Sequence, residues 1–218
     1  MAFPTIVSST TATGASSKTF NALTNFACDP GDWIVVMIGY DQAATFATSS
    51  AGWSIIKQST DNNFYAGALL AKKATGTSEN LTITATGTFT SPWTARIFRV
   101  SGAYDIAAST PVRLANTSPT VNPAPVTFPY VGDNLYFCAI VGDNNSVAAT
   151  SPNGYSTVET VTGGAGISTC YRTDTSATED ATAWPGSNSF TKSSFTFGLT
   201  GTAPPPPARR AVRYSFSF

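Results

Sequence analysis

The chain has no histidine and few charged residues: Asp, Glu, Lys and Arg make up 11% of its 218 residues. The missing histidine removes the commonest general base and the commonest metal ligand. The 12 basic and 12 acidic residues balance to zero net charge. Because no overall field attracts a polyanion, we expect neither nucleic acid nor an anionic membrane as a partner.

Long apolar runs are also missing, and cysteine is rare. No stretch approaches the roughly 18 apolar residues of a membrane-spanning helix, and the first residues, MAFPTIVSSTTATG, do not resemble a signal peptide. The three cysteines, Cys28, Cys138 and Cys170, are odd in number and lack metal-ligand spacing. We therefore expect synthesis in the cytoplasm and buried free thiols without an intrachain disulfide.

A buried strand that follows a Gly-Asp turn occurs twice, as GDWIVVMIGY at 31–40 and GDNLYFCAIV at 132–141. Two further phrases correspond between the copies: AGWS at 51–54 with NGYS at 153–156, and FRVSG at 98–102 with FGLTG at 197–201. The chain is therefore interpreted as a duplication with a period of about 100 residues. Neither copy has helical periodicity.

Apolar runs and alternating patterns predict strands throughout both copies. In the first copy they lie near 3–9, 18–26, 32–40, 53–57, 64–73, 81–85, 93–100 and 112–115. In the second copy they lie near 134–141, 155–161, 166–173, 181–184 and 194–200. Residues 41–51 are predicted to be a loop, and Pro4 should confine the first strand to a sheet edge. Arg96 and Arg99 should lie on opposite faces of their strand.

These elements predict an all-β protein, a jelly-roll-like β-sandwich built from two pseudo-symmetric halves of about 100 residues. Two separate small sandwiches in tandem are the alternative. We place the first half at 1–118, with its core repeat from about residue 19, and the second half at 119–218. The second half includes a Pro-rich spacer at 204–207 and a C-terminal strand at 208–218.

The C-terminal stretch ARRAVRYSFSF alternates apolar with polar residues, which is typical of a strand with one buried face. An exposed strand of this kind would aggregate, so we expect its own sandwich or a neighbouring subunit to cover it. Three arginines in the same stretch add charge that suits a subunit contact. The candidate partner-contact residues are Arg209, Arg210, Val212, Arg213, Tyr214, Phe216 and Phe218.

The order of short phrases resembles a known family. After the Gly-Asp strand come Gly-Trp, a KATGT turn at 73–77, Trp-x-Ala-x-Ile at 93–97 and Thr-Pro-Val at 110–112. Over about residues 19–200 this resembles β-sandwich proteins of tailed bacteriophages and prophages, described as virion structural, tail-associated or capsid-decorating. The resemblance implies a protein of the virion, made in the host cytoplasm, that contacts other capsid or tail proteins and forms homo-oligomers. It implies no catalytic residue and no cofactor.

Two other functions are weighed against this virion role. One is a carbohydrate- or receptor-binding module of a tail fibre, in which Trp53, Trp93, Trp184 and Tyr155 would form a sugar platform. Because these residues sit at repeat positions or strand starts, we expect core or rim packing instead. The other is a hydrolase acting on surface polysaccharide. The chain has no Gly-x-Ser-x-Gly motif and no histidine to activate a serine, so we predict no enzyme.

Acidic residues give the remaining candidates. Asp61-Asn62-Asn63 and Asp143-Asn144-Asn145 offer oxygen ligands for calcium, but they match no calcium-binding loop, and turn formation explains both. Asp174, Glu179 and Asp180 form the densest acidic cluster. A glycosidase needs two facing carboxylates, whereas adjacent strand residues point to opposite faces, so we expect a solvated loop. The sequence predicts no metal and no cofactor.

Overall fold

The computed structural model describes residues 2–60, 65–87, 91–114, 120–143, 150–184, 191–201 and 203, without the side chains of Thr60 and Leu114. Within these ranges the chain is all-β, as predicted, and contains no helix that could cross a membrane. The described strands are β1 (Thr5–Gly14), β2 (Thr19–Ala27), β3 (Trp33–Tyr40), β4 (Thr45–Thr48), β5 (Ser54–Thr60), β6 (Ala66–Lys73), β7 (Ser78–Thr86), β8 (Trp93–Ser101), β9 (Asp105–Ala108), β10 (Val112–Leu114), β11 (Val126–Thr127), β12 (Asn134–Gly142), β13 (Glu159–Val161), β14 (Gly166–Asp174), β15 (Thr178–Glu179) and β16 (Lys192–Thr200).

The first large sheet is antiparallel and has the order β1-β8-β3-β6-β5. A three-stranded sheet of order β2-β7-β4 covers one of its faces. An order of 1-8-3-6 opposite 2-7-4 is like that of a jelly roll, except that β5 pairs with β6 in the large sheet instead of extending the cover. β7 shows the expected alternation, because Leu81, Ile83 and Ala85 are buried between the sheets while Thr84 and Thr86 are exposed.

The second large sheet has the order β10-β16-β12-β14-β13, with β9 also beside β16. Its strands correspond in order to those of the first large sheet: β12 takes the place of β3, β14 of β6, β16 of β8 and β13 of β5. Among the described residues its cover is much smaller, since it comprises the two-stranded β11-β15 ladder and a bridge between Val121 and Trp184. That the two halves superpose residue by residue stays a prediction.

The two large sheets pack face to face through an apolar core. The Phe98 ring lies 4.9 Å from the Phe137 ring across this interface. Gly39 and Gly67 are cross-strand partners in the first large sheet, and a Cβ on either would come 3.0 Å from Val141 Cγ1. The two glycines therefore leave a hollow into which the Val141 side chain of β12 packs.

Several predicted elements are wrong in detail. The predicted loop at 41–51 contains β4, which is easy to miss because Phe46 is its one large apolar residue. β9 was not predicted, 155–161 yields only β13, and 181–184 contributes only the bridge at Trp184. β9 and β10 lie within the predicted first half, which ends at residue 118, yet both pair with β16 of the second large sheet. Their position beside β16 corresponds to that of β1 beside β8. The domain limits themselves stay a prediction.

Other predictions are confirmed. β1 lies at the edge of its sheet. Arg96 and Arg99 use opposite faces of β8: the Arg96 guanidinium contacts Glu159 of β13, while the Arg99 guanidinium contacts Asp29 and Asp32. The Arg96 contact helps to join the two large sheets.

Candidate functional site

The residues predicted to contact a partner lie outside the described residues. They are Arg209, Arg210, Val212, Arg213, Tyr214, Phe216 and Phe218. The continuous description ends at Gly201, whose backbone N–H donates to the Asp133 carbonyl at 2.8 Å. A Cβ on Gly201 would lie 2.8 Å from the Ala2 carbonyl oxygen. Both ends of the described chain therefore lie side by side.

A shallow apolar cavity opens at this place. Its volume is about 240 Å³, and its apolar walls come from Phe3, Pro4, Ile6, Leu135 and Tyr171, which we call the terminal surface. The Phe3 and Tyr171 side chains are 37% and 38% exposed. Cavities that bind small ligands usually exceed about 300 Å³, so this one suits a side chain of another protein better than a free substrate.

More exposed apolar groups surround the terminal surface. Tyr104, 48% exposed, donates its backbone N–H to the carbonyl of Thr200, next to Gly201. Val131, 71% exposed, lies two residues before Asp133, which binds Gly201. The remaining exposed large apolar side chain among the described residues is Val7, which follows Ile6 on β1. Exposed apolar groups that lie near one another are typical of protein contacts.

The acidic cluster has a different character. The prediction of a solvated loop is wrong for Glu179, whose side chain is 1% exposed. Its carboxylate accepts a hydrogen bond from the Tyr155 hydroxyl at 2.9 Å and another from Arg172 Nε at 2.9 Å. Arg172 also contacts Asp174 at 3.0 Å, and its guanidinium lies 5.4 Å from the centre of the Tyr155 ring. We call Tyr155, Arg172, Asp174 and Glu179 the second clamp.

The protonation of the second clamp follows from its burial and its charges. Burial raises the pKa of the Tyr155 phenol far above its ordinary value, and the neighbouring Cys138 and Glu179 raise it further. Burial alone would lower the pKa of Arg172, but the bond to Glu179 and its charge raise it overall. The backbone N–H of Ser176 lowers the pKa of Asp174. The clamp therefore holds an ion pair of Arg172 with Glu179 beside a neutral phenol.

A similar ion pair joins β6 to β7. Lys72 Nζ lies 2.6 Å from Glu79 Oε2, and both residues stand 100 positions before Arg172 and Glu179. Gly52 and Gly154, both with positive φ, bring their turns onto the cations, since a Cβ would lie 3.1 Å from Lys72 Cε and 3.3 Å from Arg172 Nη1. We call Lys72 with Glu79 the first clamp. The shared spacing and the matching glycine turns of the two clamps indicate a structural joint.

The four aromatic residues that were considered as a sugar-binding platform do not form one. Trp53, Trp93 and Trp184 are 7%, 5% and 0% exposed, so the interpretation as core packing is confirmed. Trp93 stacks on Phe20 at 4.6 Å between ring centres, and Trp53 Nε1 donates to the Asn80 carbonyl. Tyr155 belongs to the second clamp.

The candidate calcium loops fall mostly outside the described residues, namely Asp61, Asn62, Asn63, Asn144 and Asn145. Asp143 is described, and its backbone N–H donates to the Thr191 carbonyl. Within the described part of the chain, no group of three or more His, Cys, Asp or Glu residues is placed to hold a metal ion.

The cysteines are buried thiols, as predicted. Cys28, Cys138 and Cys170 are 3%, 0% and 1% exposed. Cys138 and Cys170 are direct partners across β12 and β14. Burial raises the pKa of the Cys138 thiol to about 12 and raises the pKa of Cys170 as well, so both thiols are poor nucleophiles near neutral pH.

Comparisons with known proteins give no relative from which a site could be transferred. No protein-family description, curated protein or solved structure matches the chain. The terminal surface is therefore the candidate functional site on the geometry of this chain alone. Nothing in the sequence marks it, because Phe3 and Tyr171 are far apart along the chain and line one cavity only in the folded protein.

Proposed function

We propose that the chain is a bacteriophage virion structural protein that decorates or reinforces the capsid or tail surface. In this proposal its partners are other virion proteins and further copies of itself, and it catalyses no reaction. It is made in the host cytoplasm and ends in the particle. The observation that carries the proposal is the terminal surface, an exposed apolar patch at which both ends of the described chain lie.

The terminal surface suits contact with another protein. Exposed aromatic rings in a concave apolar setting are the kind of residues that contribute most binding energy at interfaces. The chain continues from Gly201 into a segment whose sequence contains Val212, Tyr214, Phe216 and Phe218, which offers a second set of apolar residues for a partner. The surface and the arm can therefore engage one partner together.

The carbohydrate-binding alternative has less support. Three of its four candidate aromatic residues are buried, and the fourth, Tyr155, is bonded to Glu179. The buried carboxylates Glu79 and Glu179 are ion-paired in the two clamps, which also weakens a hydrolase. Contact with another protein is the kind of function that the geometry supports best, and the resemblance in the sequence directs the proposal to virion proteins.

The test uses particles that lack this protein and purified protein added back to them. We expect Phe3→Ser combined with Tyr171→Ser to weaken particle binding at least about tenfold, because interface aromatics carry much of the binding energy. Thr84→Ala, which changes an exposed side chain on β7 in the three-stranded cover sheet, is the control. Removal of 204–218 tests the arm separately. Binding of the double variant at wild-type occupancy would contradict the proposal.

A further inference from the structure

The free edges of the sheets differ in how they are protected. An edge strand offers unpaired backbone N–H and C=O groups to any other extended chain, and proteins usually block such edges with short strands, bulges or charges. β4, β9, β10 and β13 are at most four residues long. β5 carries Lys57 directly after a register shift. β2 has two register shifts and a positive φ at Asn25.

β1 has little of this protection. It is ten residues long and, among the described strands, pairs only with β8. Its single register shift lies between Ile6 and Ser8, after which Ser8–Gly14 pairs regularly with β8. Its sequence, TIVSSTTATG, contains no charge and no proline, and the first charged residue of the chain is Lys18. A seven-residue stretch therefore presents a regular, neutral edge.

The backbone of β1 is also held in place. Arg96 Nη2 donates to Ser9 Oγ at 3.0 Å, and the full length of β8 pairs with it. At its end, a Cβ on Gly14 would come 2.5 Å from Trp93 Nε1, so the backbone lies directly on that ring. An edge that is already ordered loses little conformational entropy when another strand pairs with it.

We propose that β1 is a self-association strand whose outer edge pairs with β1 of a second copy of this chain, antiparallel and across a two-fold axis. The pairing joins two first large sheets into one continuous sheet. The neutral edge selects this occupant, because self-pairing centred on Thr11 sets Thr11 opposite Thr11 and Ser9 opposite Thr13 and opposes no like charges. A charged peptide would find no counter-charge between residues 2 and 17.

The pairing is expected to be weak in dilute solution. One pair of short strands buries less surface than a standard interface. Copies held side by side on a particle would experience a much higher effective concentration, which favours pairing without any new contact. This inference concerns β1 alone and does not require the terminal surface to bind a virion protein.

Sedimentation of the full chain over a range of concentrations tests the proposal. We expect a monomer–dimer equilibrium, at least about tenfold weaker for Thr11→Lys, since residue 11 is exposed at the centre of Ser8–Gly14 and the two lysines would repel. Thr84→Lys is the matched control, because Thr84 is exposed on β7, which has strands on both sides. Mixing Thr11→Lys with Thr11→Glu should restore the dimer.

Three results would overturn the proposal. The first is a protein that stays monomeric up to millimolar concentration, and the second is a dimer that Thr11→Lys leaves unchanged. The third is a dimer that disappears when residues 204–218 are removed while β1 is intact, because the arm would then be the contact. Loss of particle binding by the Phe3 and Tyr171 variants has no bearing on any of these results, so the two proposals fail separately.

Discussion

The second clamp and the terminal surface use their residues in opposite ways. Glu179 is charged and has a side-chain exposure of 1%, whereas Phe3 is apolar and 37% exposed. Burying a charge is costly unless a partner and hydrogen bonds compensate it, and Arg172 and Tyr155 provide both. Exposing an aromatic ring is unfavourable unless another surface covers it. In this chain, therefore, charge marks the structural joints, and exposed apolar surface marks the place that we propose for a partner.

The two clamps also differ from each other, and the difference corresponds to the size of the cover sheet that each clamp attaches. The first clamp lies beside β7, a nine-residue strand paired on both sides. The second clamp lies beside β15, a strand of two residues. There Arg172 replaces Lys72 and Tyr155 adds a hydrogen bond. Where the cover has few backbone hydrogen bonds, more of its attachment depends on side-chain polar contacts.

The largest effect on stability is expected from Glu179→Ala. The substitution leaves Arg172 without its closest counter-charge and the buried Tyr155 hydroxyl without its acceptor. Breaking a buried pair in this way costs about 3–5 kcal/mol. Urea unfolding should show a free energy of unfolding lowered by about that amount. Glu179→Gln keeps an acceptor for Tyr155 and should lose less, and equal losses for the two variants would refute the role of the tyrosine bond.

The next largest effect on the free energy of unfolding is expected at alkaline pH. Burial raises the pKa of Tyr136 to about 12 from an ordinary value of 10.0, so folding favours the neutral phenol. This contribution is complete below pH 10 and is lost as the pH rises to about 12. At about 1.4 kcal/mol per pKa unit it amounts to about 2–3 kcal/mol.

Unfolding of Tyr136→Phe measured between pH 8 and pH 12 checks this expectation. The variant lacks the ionisable hydroxyl, so its stability should fall less steeply above pH 10 than that of the wild type. The buried Cys138 thiol, whose pKa is about 12, contributes to the alkaline loss in both proteins. Parallel pH profiles for the two proteins would show that Tyr136 is not responsible.

Glu79→Ala should cost less than Glu179→Ala, about 1–2 kcal/mol. Lys72 keeps its hydrogen bond to the Ala51 carbonyl at 2.9 Å, and β7 remains paired with β2 and β4. The same urea titration measures both variants. If Glu79→Ala destabilised the protein more than Glu179→Ala, the proposed difference between the two clamps would be wrong.

The smallest effect on stability is expected at the terminal surface. Phe3→Ser and Tyr171→Ser remove side chains that are already more than one third exposed, so each should lower the unfolding free energy by no more than about 1 kcal/mol. Thermal melts measure this directly. A loss as large as that of Glu179→Ala would mean that the aromatic rings stabilise the fold and are not reserved for a partner.

The long strands could be predicted from the sequence because apolar runs and alternation determine them. The 31–40 and 132–141 runs became the central strands β3 and β12. The short strand β4 could not be predicted, because its small residues carry little pattern. When the two Gly-Asp turns are aligned, Ile34 corresponds to Leu135. When the two large sheets are aligned, Ile34 corresponds to Tyr136 instead, because Ile34 pairs with Lys72 and Tyr136 pairs with Arg172 at the equivalent position.

The site was harder to predict than the strands. The repeat found in the sequence differs by one residue from the correspondence between the two large sheets. A shift of one residue moves a side chain to the other face of a sheet, so such a repeat does not identify which residues are buried. The burial of Glu179 depends on Arg172 across the turn that joins β14 and β15. The terminal surface depends on residues of three separate segments, at 3–6, 135 and 171, that only tertiary packing brings together.

Footprinting of the protein on intact virions, compared with the free protein, tests the central claim most directly. If the terminal surface is the contact with the particle, oxidation of Phe3, Tyr104 and Tyr171 by hydroxyl radicals should fall strongly on the particle. The exposed surfaces of β4 and β7, which lie in the cover of the first half, should keep their reactivity. Equal reactivity of Phe3 and Tyr171 in both states, or absence of the protein from purified virions, would contradict the account.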